Sequence, residues 1–174
     1  MNFKELEPTK LKENPFTLIN NDWMLISAGD KANFNTMTAS WGGLGIMWHK
    51  NVASIVVRPT RYTFEFLEKY DYFTLSFFEE EYKDALTLCG TKSGRDCNKV
   101  AEAGLTPIFD NNGIYFEEAK IIMVCKKLYW QDINPDNFVT DLEEFYPKKD
   151  YHRLYMGEIE NMYEKWIINP LDLQ

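Results

Sequence analysis

The sequence predicts a mainly β domain, an antiparallel barrel with a few helices packed on its outside. Three observations carry this. Short runs rich in β-branched and aromatic residues recur along the chain, helical runs are few and short, and the two do not alternate regularly. A doubly wound parallel sheet would also need a G-x-G-x-x-G at an early strand–helix turn, and the sequence has none. With 174 residues, 45% hydrophobic and 16% aromatic, the chain suits one domain, 1–174, with a sizeable core.

The elements follow in order. "WMLISAG" (23–29) reads as a buried strand ending at a turn glycine, and "FNTMTASW" (34–41) as a loosely alternating, Thr-rich strand. "ASIVVRP" (53–59) is a β-branched strand stopped by Pro59, because proline cannot continue a central ladder. "TRYTFEFLEKYD" (60–71) places Tyr62, Phe66 and Tyr70 at a spacing of four, which predicts a helix with Thr60 as its cap. "YFTLSFF" (72–78) returns to strand. "EEYKDALTLCG" (80–90) and "GRDCNKVAEAG" (94–104) read as helices closed by Gly90 and Gly104. "GIYFEEA" (113–119), "KIIMVCKKLYWQ" (120–131) and "RLYMGEIENMYEK" (153–165) complete the strands. An acidic, proline-bearing stretch over 132–150 reads as a surface excursion with some helix.

Charge narrows the function. The chain carries 27 acidic against 19 basic residues, a net charge of −8, which argues against nucleic-acid and membrane-surface partners. Yet residues 31–64 contain no acid, while Lys31, Lys50, Arg58 and Arg61 contribute four positive charges. At the average acid density such a gap arises by chance roughly once in a few hundred placements. Buried strands would exclude acids; so would a site for an anion. The three cysteines lack C-x-x-C spacing and, with only His49 and His152 beside them, form no zinc set. Reduced thiols in a cytoplasmic protein are expected, with no signal peptide in "MNFKELEPTK" and no apolar run longer than "IIMVC" (121–125) to span a bilayer.

Two segments can hold an anion. In "VVRPTRYT" (56–63) a strand ends in Arg58, Pro59 fixes the exit, Thr60 precedes a helix and Arg61 enters it. Open amides at a helix start favour phosphate, and two guanidinium groups would add charge-assisted bonds. The same octapeptide also reads as a capped junction with two solvated arginines. "CGTKSGRD" (89–96) is a short basic loop with Gly90, Lys92, Ser93, Gly94 and Arg95, suited to wrapping a phosphate or simply to joining two helices. It is not a Walker A loop, since three residues rather than four separate its glycines. Thr38, Ala39, Ser40 and Trp41, followed by Gly42 and Gly43, offer hydroxyls, amides and an aromatic face to a flat heteroaromatic ring. Ring plus phosphate describes a mononucleotide such as FMN. No G-x-S-x-G, H-E-x-x-H or Ser/His/Asp constellation competes, and Glu79–Glu81 and Glu143–Glu144 read as solvated faces.

The sequence resembles the flavin reductase-like, FMN-binding split-barrel family, in particular its flavoredoxin branch. "NTMTASWGGLGIMWHK", "VVRPTRYT", "FTLSFF", "GTKSGRD" and "HRLYMGEI" occur in order over roughly residues 20–160. The resemblance implies a Greek-key split β-barrel, a homodimer, and FMN near the subunit interface. It implies that Thr38 to Trp41 line the ring and its ribityl chain, and that Arg58, Pro59, Thr60, Arg61 and Tyr62 hold the phosphate end. Gly90, Lys92, Ser93, Gly94 and Arg95 would close that end, and His152 would lie by the flavin and nicotinamide. Two activities follow from it: an NAD(P)H-dependent flavin reductase acting on free flavin, or an FMN carrier passing electrons to a redox partner protein.

Overall fold

The computed structural model describes residues 3–110 and 112–166. After a short strand β1 (Phe3–Glu5), a single turn α1 (Pro15–Thr17) runs into a π-helical stretch, Leu18–Asp22. Then come β2 (Met24–Gly29), β3 (Phe34–Ala39), β4 (Gly42–Met47), β5 (Lys50–Val57), α2 (Tyr62–Lys69) and β6 (Tyr72–Phe77). Helices α3 (Lys83–Thr91) and α4 (Lys99–Glu102) precede the small hairpin β7 (Pro107–Asp110) and β8 (Gly113–Phe116). Two long strands follow, β9 (Ile121–Asp132) and β10 (Arg153–Lys165).

All pairings are antiparallel, in the order β3-β2-β6-β9-β10-β5-β4, with β1 added to β10. The outermost strands of that path, β3 and β4, are joined by only Ser40 and Trp41. Two residues span about 10 Å at most, so the sheet must curl until its two edges meet. The result is a split barrel whose seam is the Ala39–Gly42 link.

The core explains the strand sequences. Ile26, Ile55, Phe73, Leu75, Met123 and Tyr155 fill the barrel, while Leu25, Phe78, Leu86, Phe116, Ile122 and Val124 form a second layer beneath α3. Adjacent residues such as Ile122 and Met123 therefore point into different apolar layers, which is why "IIMVC" is continuously apolar. Each such side chain removed from water contributes about 1.5–3 kcal/mol. The α2 stripe behaves as its spacing predicts, with Phe66 packed edge-on to Tyr62 and stacked on Tyr70.

Five details differ from expectation, the first being that the helix expected over 94–104 forms only at Lys99–Glu102, capped by Asn98 after a turn-rich stretch. Gly90 lies inside α3, which runs on to Thr91. The residue at the cap of α2 is Arg61, with no side-chain cap bond, and Thr60 does not cap it. The strand at 113 stops at Phe116 instead of continuing to 119. The stretch after Trp41, expected to serve as a ligand rim, is the strand β4, turned into β5 by Trp48 and His49 at φ 52° and 59°. Those left-handed values mark a tight two-residue hairpin turn made without Asn or Gly. The excursion at 132–150 is a surface connection with two short turns, Pro135–Asn137 and Glu143–Phe145.

Candidate functional site

The barrel seam floors a cleft of about 380 Å³. Thr38, Ala39, Ser40 and Trp41 come from the seam, Arg58 and Arg61 from the β5–α2 junction, Leu86, Thr87, Gly90 and Thr91 from α3, and His152 from the approach to β10. Helix α3 sits close against β3: a Cβ on Gly90 would come 3.2 Å from that of Thr38, whose hydroxyl donates to the Leu86 carbonyl. This packing, and not helix termination, accounts for the glycine at 90. At the seam itself Gly42 has φ +150°, and a Cβ there would sit 2.4 Å from the Ser54 carbonyl oxygen.

One wall is held by the 132–150 excursion. Arg58 forms an ion pair with Asp150 at 2.6 Å, donates to the Phe145 carbonyl at 2.7 Å, and lies over the Tyr146 ring. Phe145 in turn packs edge-on to Trp41. His152 is only 8% exposed, its Nδ1 2.9 Å from the Tyr146 hydroxyl and its ring 5.2 Å from that of Trp41. Burial, followed by the Arg58 charge, pushes its pKa down to about 4, with Asp150 pulling weakly the other way. The imidazole is therefore neutral near pH 7. Burial also raises the Tyr146 phenol, so that the hydroxyl keeps its proton and shares one hydrogen bond with Nδ1.

A smaller recess of about 100 Å³ continues the cleft, sharing Met37, Arg61 and Thr91 with it and adding Thr60, Tyr62, Lys92, Ser93 and Lys99. Arg61 donates to the Gly90 carbonyl at 2.8 Å. Lys99 is 4% exposed, and its ammonium donates to the carbonyls of Cys89 and Lys92 at 2.9 and 3.2 Å. Among the described residues neither cation has a carboxylate partner. Burial, with the Arg61 charge, holds Lys99 below the usual lysine range. The adjacent Cys89 offers no counter-charge, since burial pushes its thiol up to about 11. The uncapped start of α2 adds open amides at the same place. Two cations without a carboxylate partner among the described residues and a helix start without a side-chain cap give the recess positive character, which favours an anion.

The residues singled out from sequence thus separate. Thr38 to Trp41, Arg58, Arg61, Gly90 and His152 share the cleft, and Thr60, Tyr62, Lys92 and Ser93 the recess. Pro59 lines neither. Gly94 packs on Asn35, and Arg95 pairs with Glu65 above the Tyr62 ring, both facing a separate polar depression. Lys92 is paired with Glu102 at 2.6 Å.

A family model described as the flavin reductase like domain matches residues 17–169. The chain belongs to this family. No curated protein matches it. Solved structures with the flavin reductase like fold include an FMN-binding domain of a flavin reductases-like enzyme from Shewanella baltica, 18% identical, TM-score 0.68, covering 94% of this chain and 78% of that one. Flavoredoxin from Methanosarcina acetivorans is 18% identical at TM-score 0.63, over 89% and 75%. The NADH:FAD oxidoreductase SgcE6 of Streptomyces globisporus is 12% identical at TM-score 0.63, over 82% and 75%. Among the described residues of this flavin reductase like domain no cluster could hold a metal ion, and no helix is long and apolar enough to cross a membrane.

Sequence reasoning missed Lys99, Tyr146, Asp150 and Trp23. Lys99 stands in a short polar helix where lysine is ordinary, so nothing local marks it as buried. Asp150 and Tyr146 lie in a segment whose contacts depend on a fold-back of about 90 residues onto Arg58.

Proposed function

We propose that the protein binds FMN in the cleft, phosphate in the recess, and acts as an oxidoreductase reducing flavin with NAD(P)H. The observation that carries this is the pair Arg61 and Lys99, both without a carboxylate, at the narrow end of a cleft floored by amides, hydroxyls and an indole. FMN, when bound, supplies the hydride- and electron-accepting ring. Arg61 and Lys99 bind the phosphate dianion and are neutralised by it. Thr38 to Trp41 hold the ring edge and exclude water from one side. His152, neutral and held by Tyr146 at the cleft wall, orients a carboxamide without exchanging a proton. The FMN-binding domain from Shewanella and the NADH:FAD oxidoreductase from Streptomyces support the reading by their fold.

A second reading is an FMN carrier exchanging electrons with a redox protein, as the name of the Methanosarcina flavoredoxin implies for that relative. Phe145 favours it, because its contact with Trp41 narrows the approach to His152. In both readings the protein is a homodimer in the cytoplasm. The exposed side chains Ile46, Met47, Trp48 and Tyr129 offer apolar area to a second copy, and the free thiols of Cys89, Cys97 and Cys125 suit a reducing compartment.

The visible spectrum of the purified protein, followed by anaerobic NADH and NADPH, tests the proposal. A yellow protein that bleaches on addition is a reductase, and one that stays oxidised is a carrier. A colourless protein that also refuses added FMN would end both readings.

A further inference from the structure

Trp23 is strained, pinned and aimed at the cleft, and none of these follows from the fold alone. Its backbone, φ 66° and ψ 172°, occupies a region that is essentially glycine-only. The wide π-helical stretch Leu18–Asp22 delivers the chain into that conformation, a device concentrated at functional sites. Lys83 holds the result: its ammonium lies 3.9 Å over the indole and also donates to the Asn21 and Asp22 carbonyls on the preceding turn. Trp23 is one of the residues lining the cleft, and it packs against the apolar layer that contains Leu86. The pairing of Met24 with Ala39 sets it alongside the seam residues that lead to the second cleft indole, Trp41.

Helix α3 gives the distance from the anion site. Lys83, which pins Trp23, begins the helix, and Gly90, which accepts from Arg61, lies near its end. Seven residues at 1.5 Å rise separate the two by about 10 Å. Trp23 thus lies toward the Lys83 end of α3 and Arg61 toward its Gly90 end, a separation that a planar ring joined to a phosphate by a short chain can span.

We propose that Trp23 is a ring-binding residue, its indole held by Lys83 against the isoalloxazine, and that the backbone strain is retained for this purpose. The inference rests on the flavin reading. Fluorescence titration of the wild-type protein with FMN and riboflavin comes first; binding of neither would remove the flavin reading and this proposal together. Given wild-type binding, Trp23→Ala is expected to weaken both flavins by the same factor, about ten-fold or more, whereas Arg61→Ala weakens only FMN. Trp23→Phe retains most of the affinity, and Lys83→Met loses part of what Lys83→Arg keeps. Thermal melting of the ligand-free variants reads the strain: Trp23→Gly melts above Trp23→Ala, the reverse of the usual order. Unchanged flavin affinity in Trp23→Ala, or a Gly variant melting below the Ala variant, would overturn the proposal and leave the flavin reading standing.

Discussion

The guanidinium of Arg58 and the carboxylate of Asp150 meet at 2.6 Å across 92 residues of sequence, and the contact fastens the 132–150 excursion to the end of β5. Both side chains are mostly shielded, so the pair is worth more than a surface bridge. Asp150→Ala is expected to destabilise the protein by about 1–3 kcal/mol in urea melts. Hydrogen exchange should rise in residues 133–152 before it rises in the barrel strands. Unchanged exchange in that segment would show that Phe145 and Tyr146 hold it without the ion pair.

The buried His152 makes stability depend on acid. Its folded pKa is about 4, below the ordinary 6.5, so the unfolded chain binds the proton more readily. The stabilising contribution is complete above pH 6.5 and is lost as the pH falls toward 4. At pH 5 the loss is about 2 kcal/mol. His152→Gln should remove that slope between pH 7 and 5, and a variant with the wild-type slope would assign the titration elsewhere.

Phosphate recognition separates two flavins. Arg61→Ala and Lys99→Met are each expected to weaken FMN by about 1.5–3 kcal/mol, the value of a charge-assisted bond, and to leave riboflavin nearly unaffected. Equal losses for both flavins, by fluorescence titration, would take the phosphate out of the recess. Arg58→Ala should discriminate far less, because Asp150 already neutralises that guanidinium.

Turnover tests the other wall. His152→Ala should leave FMN affinity nearly unchanged while slowing anaerobic reduction by NAD(P)H about ten-fold, or ~1.4 kcal/mol in the barrier. Reduction at the wild-type rate would exclude His152 from positioning the donor.

The seam can be probed without ligand. Gly42→Ala forces a side chain into a left-handed backbone and against the Ser54 carbonyl, and is expected to cost about 2–3 kcal/mol. Gly45→Ala, on the same strand with nothing within 4 Å of the added carbon, is the control.

What was legible in the sequence was whatever local pattern could carry. The β-branched run ending at Pro59 gave β5, and the aromatic spacing from Tyr62 to Tyr70 gave α2. The β4–β5 hairpin was hidden because Trp48 and His49 adopt left-handed turn angles without the Asn or Gly that announces them. The acid-free stretch at 31–64 supplies Arg58 and Arg61 to the cleft, but the acids that pair with its cations arrive from elsewhere. Glu158 reaches Lys50 and Asp150 reaches Arg58, whereas among the described residues Arg61, at the cleft, has no carboxylate partner, and it is joined there by the unforeseen Lys99. Pairing across the fold, and not residue type, decides which cations are available.

The position of β10 in the sheet sets the order in which the barrel can be assembled. It pairs with β9 along nearly its whole length, with β5 on its other side and with β1 at its end. Without residues 153–165 the described sheet falls into two pieces, β3-β2-β6-β9 and β5-β4, with no strand ladder between them. The two half-sheets can therefore close into one only when this strand pairs with both β9 and β5. Such long-range closure makes for slow folding, and His152, one residue before β10, takes its place in the cleft only as the halves join.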